Sequence, residues 1–143
     1  MPVGRIQDRA TFDALRRSRL RASSGFVRIT FAPTGSLPPR ARPRPDAAVA
    51  YAIGRKVGGA VERNRVRRRA RAVLERREGA MMPGAYLISF APGAAEMSFE
   101  ELRTDVERAL SRLVQRTATA VDGGAGDPRR DGGPATGRTG RDG

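Results

Sequence analysis

The sequence predicts an α+β fold, with a single mixed β-sheet packed with three helices in the order helix, strand, strand, helix, strand, helix. Three observations predict it. Residues 60–77 carry apolar side chains at helical spacing and contain no proline. The segments FVRITFAP (26–33) and AYLISFAP (85–92) are short, β-branched and aromatic, and each ends at a proline. Finally, Ser98 followed by Glu101 opens a long amphipathic run, the signature of a capping box.

Residues 8–17, DRATFDALRR, read as a short helix capped by Asp8, with Phe12 and Leu15 on one side. Core packing is the plain reading of Phe12. In the strand over 26–33, Val27, Ile29 and Phe31 point one way while Phe26, Arg28 and Thr30 point the other. A further short strand near Arg19–Ser23 is left open, so the sheet has three strands or four. Residues 33–46 hold five of the chain's ten prolines together with Arg40, Arg42 and Arg44, and read as a mobile loop between strands. The run AAVAYAI (47–53) is apolar throughout, as expected of a strand buried on both faces.

GRKVGG then leads into the second helix, Ala60 to Arg77. Val66, Ala70, Val73 and Leu74 form a narrow apolar stripe at i, i+4, i+7 and i+8. Asn64, Arg68, Arg71 and Glu75 lie opposite, with further arginines on the flanks. After a Pro83–Gly84 turn comes the strand at 85–92. In the last helix Ser98 is the cap, Met97 and Leu102 are spaced for a hydrophobic staple, and Leu102, Val106, Ala109, Leu110, Leu113 and Val114 form the stripe that covers the sheet. From Asp122 onward glycine supplies 8 of 22 residues and no large apolar side chain occurs, which predicts a disordered tail. The domain organisation is therefore one domain over 1–121 and a glycine-rich tail over 122–143.

Charge is distributed unevenly. Residues 1–78 hold 20 basic and 6 acidic side chains, and residues 79–143 hold 8 and 9, so the net +13 of the chain comes wholly from the first part. That asymmetry marks an electrostatic footprint for a polyanion. The chain has no cysteine and no histidine, which removes disulfides, thiolate metal sites, imidazole ligands and the His-based catalytic triad. Its carboxylates show no metal-binding spacing, so neither a catalytic residue nor a metal site is expected. No apolar run reaches the length of a membrane span, and the first residues show no signal-peptide pattern; a soluble, cytoplasmic chain is expected.

Six arginines fall within the nine residues 63–71, and 27 of the 28 basic residues are Arg. A merely solvated helix face would interleave acids as i,i+4 partners. Here only Glu62 and Glu75 are present, near the two ends. Guanidinium groups grip phosphate with paired hydrogen bonds, so the surface suits the backbone of a nucleic acid. The RNA-binding candidates are Arg55, Lys56, Arg63, Asn64, Arg65, Arg67, Arg68, Arg69 and Arg71. Asn64 is read either as a plain surface residue or as one that bonds RNA or orients a neighbouring arginine. Gly58 and Gly59 suit a tight helix entry with open backbone N–H groups.

The segment RKVGGAVERNRVRRRAR, residues 55–71, resembles the protein subunit of bacterial ribonuclease P. That family carries a basic pair, an apolar residue and Gly, then Ala-Val, Arg-Asn-Arg, an apolar residue, two basic residues and a further Arg. The match runs through Arg55, Lys56, Val57, Gly58, Ala60, Val61, Arg63, Asn64, Arg65, Val66, Arg67, Arg68 and Arg71, and the order of elements agrees over about residues 5–117. The resemblance implies a ribonucleoprotein in which a catalytic RNA, with bound Mg²⁺, removes the 5′ leader of precursor tRNA while the protein assists binding. It implies a left-handed βαβ crossover and a leader-binding cleft between the first helix and the sheet. Phe12 matches the aromatic of that cleft, Arg16 stands where a second aromatic is usual, and Val27 and Ile29 are candidates for its lining. No small-molecule cofactor and no membrane partner are implied.

Three other readings compete. A basic leucine-zipper region needs leucines at seven-residue spacing, and Gly79, Pro83 and a strand follow instead. A ribosomal or other structured-RNA-binding assembly protein would share the composition, and only the motif separates it. A self-sufficient protein nuclease is disfavoured by the absent histidines and scattered carboxylates.

Overall fold

The computed structural model describes residues 4–42, 47–77 and 81–122. Its elements are β1 (Gly4–Arg5), α1 (Arg9–Arg17), β2 (Leu20–Ser24), β3 (Val27–Pro33), β4 (Ala47–Ala52), α2 (Ala60–Arg76), β5 (Gly84–Phe90) and α3 (Phe99–Asp122). They form one five-stranded sheet in the order β1-β4-β5-β3-β2. The sheet is mixed, with β4 parallel to β1 and β5, and β3 antiparallel to β5 and β2. The strand left open near Arg19–Ser23 is β2. The fifth strand, β1, is a correction to the predicted count: two residues carry no periodicity, and only pairing to Ala48 and Val49 makes them a strand.

Register divides the sheet into two faces. Ile29 lies opposite Ile88, and Phe31 and Val49 both lie opposite Tyr86. These side chains, with Val27 and Phe90, face α2 and α3 and form the main core. The Phe31 and Tyr86 rings pack with centroids 4.7 Å apart. On the other face Ala32, Ala48 and Ala85 meet Ala14 and Leu15 of α1, together with Ile6 and Leu37. Small side chains on the sheet let the short α1 sit close. Gly84, at φ 145°, has no room for a side chain, because a Cβ there would run into the Ala32 carbonyl oxygen and the Phe31 ring.

The hand of the β4–α2–β5 connection follows from chirality. In a strand of L-residues running upward, a side chain facing the viewer has its own N–H and C=O directed to the right. Val49 faces α2, and its carbonyl accepts from the Ile6 N–H at 3.3 Å. Seen from the α2 side, then, β1 lies to the right of β4 and β5 to its left. The chain leaves β4, crosses on the viewer's side through α2 and returns on the left. This is a left-handed crossover, against the rule for parallel connections.

Local signals account for the helix ends. Asp8 accepts from the Thr11 N–H at 2.9 Å and caps α1. The capping box of α3 closes, with Glu101 N–H donating to Ser98 Oγ at 3.1 Å and Ser98 N–H donating to Glu101 Oε1 at 2.9 Å. Its stripe from Leu102 to Leu113 is buried. Val114 departs from the prediction and is 41% exposed, since the helical repeat carries it onto the flank of the stripe.

Two loop and strand expectations change. β4 is buried on both faces only over Ala47–Val49; Ala50 is half-buried and Ala52 exposed because α1 covers only one end of their face, while Tyr51, on the α2 side, is half-buried against the main core. The proline-rich segment is anchored over its first part, where 3-10 turns at Thr34–Ser36 and Pro39–Ala41 flank the buried Leu37. Residues 43–46 of that loop and residues 123–143 of the tail lie outside the described residues.

Leu113→Ala is expected to cost about 2–5 kcal/mol, as a truncation in a closely packed core. Val114→Ala, one residue on, should stay within about 0.5 kcal/mol of the parent. Urea denaturation followed by circular dichroism checks the pair.

Candidate RNA interface

Helix α2 is built to hold its apolar stripe inward. Val66, Val73 and Leu74 are each 1% exposed and Ala70 is 0% exposed. The opposite side, bearing Asn64, Arg68 and Arg71, faces solvent. A turn at Arg55–Val57 delivers the chain to this helix, with Val57 buried and Arg55 and Lys56 exposed beside the helix start. Gly58 follows at φ 157°, where a Cβ would crowd that of Glu62 at 2.8 Å. Gly59 is the N-cap and offers no side-chain acceptor, which leaves the first N–H groups of α2 without a side-chain cap.

The arginines of the motif divide into two groups. Arg65 donates from Nη2 to the Ala95 carbonyl at 3.0 Å, and Arg69 donates from Nη1 to the Met97 carbonyl at 2.8 Å. Both side chains are half-buried and tie α2 to the turn that precedes α3. They act as fasteners, a role that helical spacing alone did not reveal. Arg67 donates to Asn64 Oδ1 at 2.7 Å, so Asn64 orients a neighbouring arginine. Arg76 lies 5.3 Å above the Phe99 ring. Arg63 is half-buried, while Arg68 and Arg71 are exposed on the same helix, with Arg71 beside the Tyr51 phenol. The open set is therefore Arg55, Lys56, Asn64, Arg68 and Arg71, with Arg67 held at its margin.

A second surface lies on the other side of the sheet, beside α1. Phe12 is half-buried there and, like Ala50 and Leu87, packs against the smaller core. Arg16 is exposed and pairs with Asp13 at 3.2 Å. Val27 and Ile29 do not line this surface. They are 1% and 0% exposed and point into the core against α3, which corrects their candidacy for the cleft. The period of two assigns this face to their neighbours, the exposed Arg28 and the buried Thr30, joined by the half-buried Leu87 and Ser89 of β5. The alternation was visible in the sequence; which face α1 leaves uncovered was not.

Tyr51 is a further residue that the motif did not single out. It is half-buried at the free end of β4, where burial pushes its hydroxyl up from 10.0 to about 12, against the lowering effect of the adjacent Arg71. Tyr86 is also pushed up by burial, and its hydroxyl donates to the Met82 carbonyl at 2.7 Å. Among the described residues, no three Asp, Glu, His or Cys side chains converge as metal ligands. No helix of those residues is long and apolar enough to cross a membrane.

Comparison with known proteins gives one consistent result. The family model described as Ribonuclease P matches residues 3–114. The ribonuclease P protein component of Acidothermus cellulolyticus is 34% identical over 113 residues, covering 78% of this chain and 88% of that protein. That of Thermus aquaticus is 45% identical over 76 residues, covering 51% of this chain and 45% of that protein. The RNase P protein from Thermotoga maritima superposes with a TM-score of 0.59 at 19% identity, over 76% of this chain and 96% of that one. At that identity the superposition bears on the fold alone.

Two expectations follow from the geometry. Arg69→Ala should lower stability by about 1 kcal/mol in thermal denaturation, because a charge-assisted hydrogen bond is lost. Arg68→Ala, which removes only an exposed like charge, should leave stability unchanged or slightly raised. The two tyrosines give a second check through absorbance at 295 nm. In the folded protein Tyr51 should titrate near 12, and both tyrosines should return to about 10 in denaturant. Since the folded values lie above the unfolded one, the associated stability is complete below pH 10 and is lost as pH rises from 10 through 12.

Proposed function

The chain belongs to the ribonuclease P protein family, and from that membership we propose that it serves as the protein component of a ribonucleoprotein that matures the 5′ end of tRNA. The observation that carries the reading is the 55–71 motif folded as a tight turn leading into a helix, with the helix's apolar stripe sealed and Asn64, Arg68 and Arg71 turned to solvent. Its partners are a catalytic RNA and precursor tRNA, in the cytoplasm. The RNA holds Mg²⁺, which supplies the activated water and charge stabilisation for phosphodiester cleavage when bound. This chain's own residues bind and orient.

The arginine face suits the catalytic RNA. Its contacts go to phosphates, which are dense, sequence-independent and salt-sensitive. Arg67, steered by Asn64, and the exposed Arg68 and Arg71 present guanidinium groups from one helix to the phosphates of a folded RNA. The open sheet face suits the single-stranded leader. A leader must be held whatever its bases, which calls for flat or apolar side chains with cations beside them. Phe12 and Leu87 supply the first, and Arg16 and Arg28 the second. With Arg16 in place of a second aromatic, leader binding depends more on charge and less on stacking. The two surfaces lie on opposite sides of the sheet, so one RNA does not displace the other.

The test is cleavage of precursor tRNA at low Mg²⁺ by the cognate catalytic RNA, with and without the protein. The mixture should cleave faster than the RNA alone, the protein alone should be inert, and Arg68→Ala/Arg71→Ala should bind the catalytic RNA about tenfold more weakly. Phe12→Ala should weaken binding of leader-bearing tRNA while leaving mature tRNA unaffected. Cleavage by the protein alone would place the chemistry in the chain. RNA binding without stimulation would favour a structural RNA-binding role.

A further inference from the structure

Strand β1 is one edge of the sheet, and clefts open on both of its sides. On the α2 side a cleft of about 250 Å³ is walled by Arg5, Val49, Tyr51, Arg71, Leu74 and Glu75. On the α1 side a cleft of about 150 Å³ is walled in part by Arg40 and Arg42 of the proline-rich segment. Gly4 and Arg5 line both clefts. The edge therefore lies between the arginine face of α2 and two arginines that the motif does not include.

Resting on the reading of the chain as a ribonuclease P protein, we propose that Arg5, Tyr51 and Arg71 form a binding site for the phosphodiester backbone of the catalytic RNA. The site carries the RNA track from α2 around β1 toward Arg40 and Arg42. Four features support it. Two guanidinium groups, on β1 and on α2, converge on one cleft with Glu75 as the single acid on its wall. Arg71 and Arg67 both act electrostatically on the Tyr51 phenol, so the cationic field extends into the cleft. Arg71 stands beside the phenol, and since a guanidinium only donates, it leaves the hydroxyl proton for a phosphate oxygen. The backbone contributes as well. Ile6 N–H points to β4, so by alternation the Arg5 N–H points outward from the sheet edge.

The experiment measures binding of the full chain to the catalytic RNA transcribed from the same genome, as affinity against monovalent salt. Loss of one phosphate contact lowers the log–log salt slope by about one. Arg5→Ala is expected to lower the slope by that amount, with melting unchanged because Arg5 is exposed. Tyr51→Phe keeps every charge and should weaken binding about three- to tenfold at an unchanged slope. Arg108→Ala, on the exposed outer side of α3, is the control and should match the parent. An unaltered slope in Arg5→Ala, or an equal fall in Arg108→Ala, overturns the site while leaving the family function standing. Failure of the parent chain to bind that RNA overturns both.

Discussion

Helix α2 carries seven arginines and two glutamates in seventeen residues, and four apolar side chains hold it to the sheet. In water such a helix would be weak, since like charges at i,i+3 and i,i+4 oppose it and helices of this length are marginal even without that penalty. Burial of Val66, Ala70, Val73 and Leu74 contributes several kcal/mol and fixes which way every arginine points. Rotating the helix by one residue would expose the stripe and bury charge. The arginine face exists because the narrow stripe permits only one orientation.

That orientation propagates. With α2 seated on the Val49 and Tyr86 side, the chain crosses from β4 to β5 on that face, and α3 packs beside it. The opposite face is left to α1, which is only nine residues long and covers one end of it. The uncovered remainder becomes the second surface. Two of the motif's arginines reinforce the arrangement by bonding carbonyls of the turn before α3, so part of the charge that looks like ligand-binding surface is spent on the protein's own backbone. The same side-chain type serves two ends here, and the distinction rests on whether an unpaired carbonyl lies within reach.

A charge pattern of this kind ties stability to the partner. Any anion that binds the folded chain and ignores the unfolded one stabilises it by mass action. A bound RNA would neutralise the repulsion along α2 that the protein leaves unrelieved. The small α1 layer and the anchored Leu37 turn complete a thin second core, whose alanines keep the helix close to the sheet at the cost of little buried apolar area.

Much of this was legible in the sequence. Each of the three helices, the strands at 26–33, 47–53 and 85–92, the capping box and the α2 stripe follow from periodicity and capping chemistry, which are local. The 55–71 motif carried the family, and the left-handed crossover came with that resemblance; chirality and one hydrogen bond establish it in the fold. What tertiary structure decided is what depends on a distant partner. β1 exists only because β4 lies beside it. Val27 and Ile29 fall in the core because α3 covers their face, and Arg65 and Arg69 are fasteners because residues 95 and 97 arrive next to them. Spacing tells which side chains share a face, but only packing tells which face is covered, because coverage is set by elements far away in the chain.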